Sequence, residues 1–183
     1  MWLIVQASLR GGALLVSSLS VYATGLVGML AASAAYHLAR PGRAKALLRR
    51  ADHSMIFVMI AGSYTPFALN ALSRTGGVAV CAAMWGVAAV GVTLKLALPR
   101  RCERASLALC LVMGWTVLAL LPWLARRLPE ISLGLLLAGG LAYTIGAVLF
   151  TRRWRFHIAG WHALVLLGAA LHLGAVSTAF LAP

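Results

Sequence analysis

An all-α bundle of membrane-spanning helices is the fold class this sequence predicts, and three observations predict it. Hydrophobic residues make up 62% of the 183 positions and charged ones only 10%, a balance no ordinary soluble domain shows. Apolar runs of 18 or more residues recur along the chain, each long enough to cross hydrocarbon as a helix. The 16 basic and 3 acidic residues, a formal charge of +13, gather in short segments between those runs. Nucleic-acid binders share such an excess, but basic residues confined between apolar runs answer to orientation in a bilayer. No nucleic-acid partner is expected.

The elements follow in order. Residues 1 to 10 (MWLIVQASLR) are too short to span and lack the three-part pattern of a secretory signal. A first span covers about Ala13 to Leu38 and stops at Ala39-Arg40-Pro41-Gly42, where proline and glycine end a helix. Arg40, Arg43, Lys45, Arg49 and Arg50 then form a basic loop. The second span, about His53 to Leu72, contains Gly62-Ser63-Tyr64-Thr65-Pro66, and Pro66 predicts a kink near residue 62 because it removes one backbone bond. The third span runs from about Val78 to Leu98, the fourth from about Ala105 to Leu124 with Gly114-Trp115 and Pro122 inside, and the fifth from about Ile131 to Phe150. Gly139-Gly140 in the fifth offers close helix contact. The sixth covers about His157 to Phe180. Six full spans in one membrane domain, 1–183, are expected.

Other chemistries are set aside by their missing signatures. Neither a Walker motif, a G-x-G-x-x-G after a strand, a haem-attachment motif nor an H-E-x-x-H pair is present. Cys81, Cys102 and Cys110 form no C-x-x-C pair and read as packing residues. The six tryptophans are scattered, several near span ends, and read as interfacial anchors.

Counting Lys and Arg on alternate sides of the path places twelve on one side, in 40–50, 95–104 and 152–155, and four on the other. The positive-inside rule puts the twelve in the cytoplasm of a plasma (inner) membrane protein and the C-terminus outside. The basic loops then meet anionic lipid head groups. This topology gathers Ser33 and His37 at the end of the first span, Asp52 at the start of the second, and His157 and His162 at the start of the sixth, all at the cytoplasmic end. Intramembrane polar residues are costly and mark function.

Taken singly, each has a plainer role. His37 would meet a helix C-terminal dipole, Asp52 would cap the N-terminus of the second span, His53 would be a surface neighbour and Ser33 a packing residue bonded to its own backbone. His172, about 15 Å deeper than His162, reads as structural. Taken together, three imidazoles with a carboxylate and a hydroxyl form a candidate zinc site that leaves a fourth position for water. Zinc lowers the pKa of its water toward ~7, Asp52 would accept the proton or orient the water, and Ser33 would hold it or polarise a carbonyl.

Ser33-Ala-Ala-Tyr-His37, Asp52-His-Ser-Met-Ile-Phe-Val-Met-Ile-Ala-Gly-Ser-Tyr-Thr-Pro66, Gly139-Gly-Leu-Ala-Tyr-Thr-Ile-Gly146 and Trp161-His162-Ala-Leu-Val-Leu-Leu-Gly-Ala-Ala-Leu-His172 resemble the hemolysin III group of bacterial membrane proteins. These are relatives of the progestin and adipoQ receptors within the CREST superfamily of membrane hydrolases. The resemblance covers every span and implies a seven-helix fold with zinc held near the cytoplasmic face by His37, His157 and His162, with Ser33 and Asp52 close to the water. Two departures stand out. The chain shows six spans and a ten-residue stub, so the first helix is missing or cut short, through a late start codon or because this member dispenses with it. The last helix spaces its histidines five apart, where the family has four, and a five-residue step turns about 140°. His157 would then reach the ion from an unwound first turn or through a π-bulge.

Two function classes follow. One is a zinc-dependent membrane hydrolase of a lipid amide or ester, with membrane lipid as substrate or ligand. The other is non-enzymatic: a pore-forming cytolysin, or a sensor of membrane composition with structural zinc. A pore formed by one chain would show polar stripes, whereas these spans are filled with Ala, Leu, Val and Gly.

Overall fold

A computed structural model of the chain describes residues 2–97, 103–152 and 155–181. Among them lie eight helical segments and no strand: α1 (Trp2–Arg10), α2 (Ala13–Leu38), α3 (Arg43–Ala71), α4 (Arg74–Ala97), α5 (Glu103–Trp115), α6 (Val117–Leu124), α7 (Glu130–Thr151) and α8 (His157–Phe180). Counting α5 and α6 as one, six helices are long and apolar enough to cross a membrane. The protein is a multi-pass membrane protein. Its chain divides into two compact units, residues 1–113 and 114–183.

In the first unit α3 is the hub, with 61% of its most apolar stretch buried against 28% or less for every other span. It begins at Arg43, ten residues before the start that hydropathy suggests. Neither glycine nor proline stands between Gly42 and Gly62, and the Ala, Leu, Arg and Lys of the first turns are good helix formers. The basic loop is therefore the opening of a helix. Gly42, at φ 155°, makes the turn into it, a conformation that glycine alone takes readily. Lys45 donates from Nζ to the Ala39 carbonyl oxygen at 3.0 Å, placing a cation at the negative end of α2. α3 continues through Pro66 to Ala71 as one helix.

Lipid is as apolar as leucine, so membrane helices associate through close packing and interhelical hydrogen bonds of roughly 0.6 kcal/mol each. α2 and α3 run antiparallel, with Gly25 against the Met59 backbone and Gly62 against the Val21 carbonyl and the Tyr22 backbone. Asn70 donates from Nδ2 to Ser18 Oγ at 2.9 Å. On the other side of α3, a Cβ on Gly77 would collide with the Ala68 carbonyl oxygen, and Gly91 lies under the Phe57 ring. The Trp85 indole donates to Thr65 Oγ1 at 3.1 Å. Tyr64 reaches α5, its hydroxyl donating to the Met113 carbonyl oxygen at 2.8 Å. α1 packs against α2.

In the second unit α7 and α8 form an antiparallel pair. Gly139 faces the His172 ring and the Gly168 carbonyl, Gly168 faces Tyr143, and Gly146 faces Trp161. Gly139 thus supplies the close approach its sequence suggests. Ser132 donates to the Ala175 carbonyl oxygen at 2.8 Å, fully buried. The Trp115 indole donates to Thr144 Oγ1 at 3.0 Å. Trp85 and Trp115 are thus helix-to-helix ties rather than interfacial anchors, whereas Trp123 is exposed. The fourth span is broken at Thr116. Ala119 donates to the Thr116 carbonyl in a tightened turn, and Pro122 lacks the N–H that would continue the ladder to Leu118.

Candidate functional site

The register of α2 against α3 decides how Ser33 and Asp52 stand. Glycine contacts pair residue 62 with 21–22, 25 with 58–59 and 28 with 55. Five residues further along the same antiparallel register, Ser33 stands level with Arg50 and Ala51, within one turn of Asp52. The faces agree as well. Ser18, Tyr22, Gly25 and Met29 form the buried stripe of α2, and Ser33 continues it at helical spacing. On α3, Asp52 lies three and seven residues before Met55 and Met59, which meet α2. Both residues are half-buried.

Asp52 is not an N-cap. Gly42 occupies that position, and Asp52 sits nine residues inside a continuous helix, where a carboxylate satisfies no orphan N–H of the helix end. Ser33 also departs from its plainer role. Ser17, Ser18, Ser20, Ser63 and Ser177 each donate to a carbonyl three or four residues back, but Ser33 has no such bond among the described residues. Its hydroxyl stays available to another group.

His37, one turn beyond Ser33, is exposed at the end of α2. Its ring meets the Tyr36 ring edge-on at 4.7 Å, and the Lys45 ammonium lies 5.3 Å from the Tyr36 centroid, within cation–π range.

In the second unit, α8 is regular from its first residue, with Gly160 N–H donating to the Phe156 carbonyl at 2.9 Å. The described residues of α8 contain neither an unwound first turn nor a π-bulge. His157 therefore continues the stripe of Trp161, Leu164 and Gly168 that faces α7, and His162 points about 140° away. Both are half-buried. His172 behaves structurally: its Nδ1–H donates to the Gly168 carbonyl at 2.9 Å, and its ring packs on Tyr143 at 5.3 Å between centroids.

Imidazole, carboxylate and hydroxyl donors suit a zinc-like ion by their chemistry. Their distribution is less simple: His37, Ser33 and Asp52 belong to the first unit, His157 and His162 to the second. Among the described residues no three His, Cys, Asp or Glu side chains form a group that could hold a metal. Cys81 and Cys110 are free thiols, Cys81 with its Sγ 4.0 Å from Thr65 Oγ1. Cys102 lies outside the described residues.

Sequence reasoning overlooked three residues of the first unit. Lys95, Ser54 and Ser106 are all buried. Lys95 entered only as a topological charge, although a lysine inside an apolar run is itself a signal.

The fold and these polar span ends define a polytopic α-helical membrane protein whose ionisable groups sit on small-residue helices. Its chain belongs to the haemolysin-III related family, whose profile matches residues 1–173. It is 34% identical to Hemolysin-3 of Bacillus cereus over 170 residues, covering 92% of this chain and 78% of that protein. It is 32% identical to the Hemolysin-3 homolog of Bacillus subtilis (strain 168) over 170 residues, covering 92% of this chain and 80% of that one. No solved structure matches the chain.

Proposed function

We infer that the protein is a zinc-dependent membrane hydrolase acting on a lipid amide or ester, with His37 and His162 as imidazole donors; His157, on another face of the regular α8, is not among them. The observation that carries this reading is the α2–α3 register, which brings Ser33 and Asp52 within one turn of each other on the faces where the two helices meet. A carboxylate inside a helix, opposite a serine that does not bond its own backbone, is a costly pair to keep in a membrane. When bound, zinc supplies an acidified water and a Lewis acid for a carbonyl. Asp52, through a carboxylate oxygen, accepts the proton of an attacking water, a role worth about 10²–10⁴ in rate. Ser33 donates its hydroxyl hydrogen to the scissile carbonyl or holds the water against it. The basic span ends face the cytoplasm of the plasma membrane, where anionic head groups hold them, and the acyl chain of the substrate lies between spans.

Elemental analysis of detergent-purified protein tests the metal. About one zinc per chain, lost in both His37→Ala and His162→Ala, supports the site; a folded wild type without metal overturns it. Asp52→Asn separates chemistry from binding, because it keeps zinc and loses turnover.

A second reading rests on the names of the relatives, Hemolysin-3 and Hemolysin-3 homolog. A lytic protein would release dye from vesicles as readily in Asp52→Asn as in wild type. A hydrolase would not.

A further inference from the structure

At one level of the first unit, three helices each contribute a buried polar side chain. Lys95 on α4 is 8% exposed, Ser54 on α3 is 6% and Ser106 on α5 is 3%. The α3–α4 register, set by Phe57 on Gly91 and Trp85 on Thr65, places Lys95 level with His53 and Ser54. Lys95 stands one turn beyond Gly91, on the face that meets α3. Ser54 lies three residues before Phe57, on the face that meets α4.

α5 runs beside α3 in the same direction, tied by the Arg49–Glu103 ion pair at one end and the Tyr64–Met113 bond at the other. Ser106 falls between those ties, at the height of Ser54. It shares one face of α5 with Met113, and these two are the buried residues of that helix.

The two hydroxyls have no hydrogen-bond partner among the described residues. Ser18 and Ser20 of α2, Ser63 and Thr65 of α3 and Thr93 of α4 donate back to their own turn. Ser54 and Ser106 could satisfy themselves in the same way, and burying a hydroxyl without a partner is unfavourable. Two such residues beside one buried ammonium share a single explanation in a common acceptor. The surrounding charges favour an anion: Arg49, Arg50 and Lys95 against Asp52 and Glu103. Asp52 stands on the α2 side of α3, about 200° around the helix from Ser54. Its carboxylate therefore does not share the face of these donors.

The geometry points to a binding site for a tetrahedral phosphate-type oxyanion at the α3–α4–α5 junction, with the Lys95 ammonium and the Ser54 and Ser106 hydroxyls as donors to separate oxygens. The phosphate arrives either as the head group of an anionic phospholipid or as free inorganic phosphate. This site is separate from the Ser33–Asp52 pair and does not depend on zinc.

The test is thermal unfolding of the full-length purified chain with each probe, comparing wild type with the Ser54→Ala/Ser106→Ala double variant. One arm titrates inorganic phosphate into detergent-solubilised protein, and a second exchanges phosphatidylcholine nanodiscs for phosphatidylglycerol nanodiscs. Wild type should gain several degrees in one of the two arms, and the responding arm names the source. The double variant should bind that probe at least tenfold more weakly. Without probe it should melt at or above wild type, because alanine removes two unpartnered hydroxyls. Lys95→Gln should also lose the response. The proposal is overturned if wild type responds in neither arm, or if the double variant, folded, responds as wild type does.

Discussion

Asn70 and Ser18 join α3 to α2 through a 2.9 Å hydrogen bond from Nδ2 to Oγ, at the opposite end of the helix pair from Ser33 and Asp52. Asn70 also donates to the Pro66 carbonyl at 2.9 Å, and Ser18 donates to Leu15 at 3.0 Å. This chain of bonds fixes the register on which the candidate site depends. A double-mutant cycle of Asn70→Ala and Ser18→Ala should give a coupling of about 0.6–2 kcal/mol, read from unfolding in mixed micelles. Zero coupling would mean that glycine packing alone sets the register.

The catalytic reading makes a kinetic demand. Asp52→Asn should lower turnover by roughly 10²–10⁴ while metal content is unchanged. Ser33→Ala should lower turnover and leave stability within about 0.5 kcal/mol, since its hydroxyl bonds no backbone carbonyl. Equal activity in Asp52→Asn and wild type would remove Asp52 as proton acceptor.

The tie between Thr65 and Trp85 makes a structural demand. Thr65→Val leaves the Trp85 indole N–H without its acceptor and should cost about 1–3 kcal/mol. Trp85→Phe in the Thr65→Val background should recover part of that loss. Additive losses would show that the 3.1 Å bond carries no weight.

In the second unit the glycines divide sharply. Gly139→Ala drives a methyl into the His172 ring and should destabilise by about 1–3 kcal/mol. Gly134→Ala, with nothing within 4 Å, should be neutral or stabilising, since alanine is the better helix former. Equal melting temperatures for the two variants would contradict the close approach of α7 and α8.

The ion pair between Arg49 and Glu103 is a weak tie, because its side chains are 36% and 47% exposed. Glu103→Gln should change stability by less than about 1 kcal/mol, with the difference vanishing in high salt. A larger loss would show that this pair anchors α5.

How far the sequence carried these conclusions depended on the signal used. α2 and α8 have the ends that hydropathy suggested, Ala13–Leu38 and His157–Phe180, because prolines, glycines and arginines bound them. α3 does not, because hydropathy marks where a helix enters lipid and not where it begins. Its first ten residues are basic yet helical, a matter of backbone propensity. The break at Thr116 was also hidden, since local propensity does not report where a ladder parts. At the site, the residue types of Ser33 and Asp52 were visible in the sequence. Their approach to within one turn of each other was not, because it rests on contacts such as Gly25 with Met59 and Gly28 with Met55. The unpartnered state of Ser54 and Ser106 was beyond reach: a rotamer choice separates them from the serines that satisfy themselves.

The early start of α3 has a mechanical consequence. Its 29 residues make a rod of about 43 Å, against hydrocarbon about 30 Å thick. Roughly two turns must therefore stand in the head-group layer or be taken up by tilt. Asp52 is mounted on that post, not on a hinged loop, so local rearrangement cannot swing it aside. If it serves a lipid hydrolase, access to it would be controlled by the sliding or leaning of whole helices, and activity would respond to bilayer thickness.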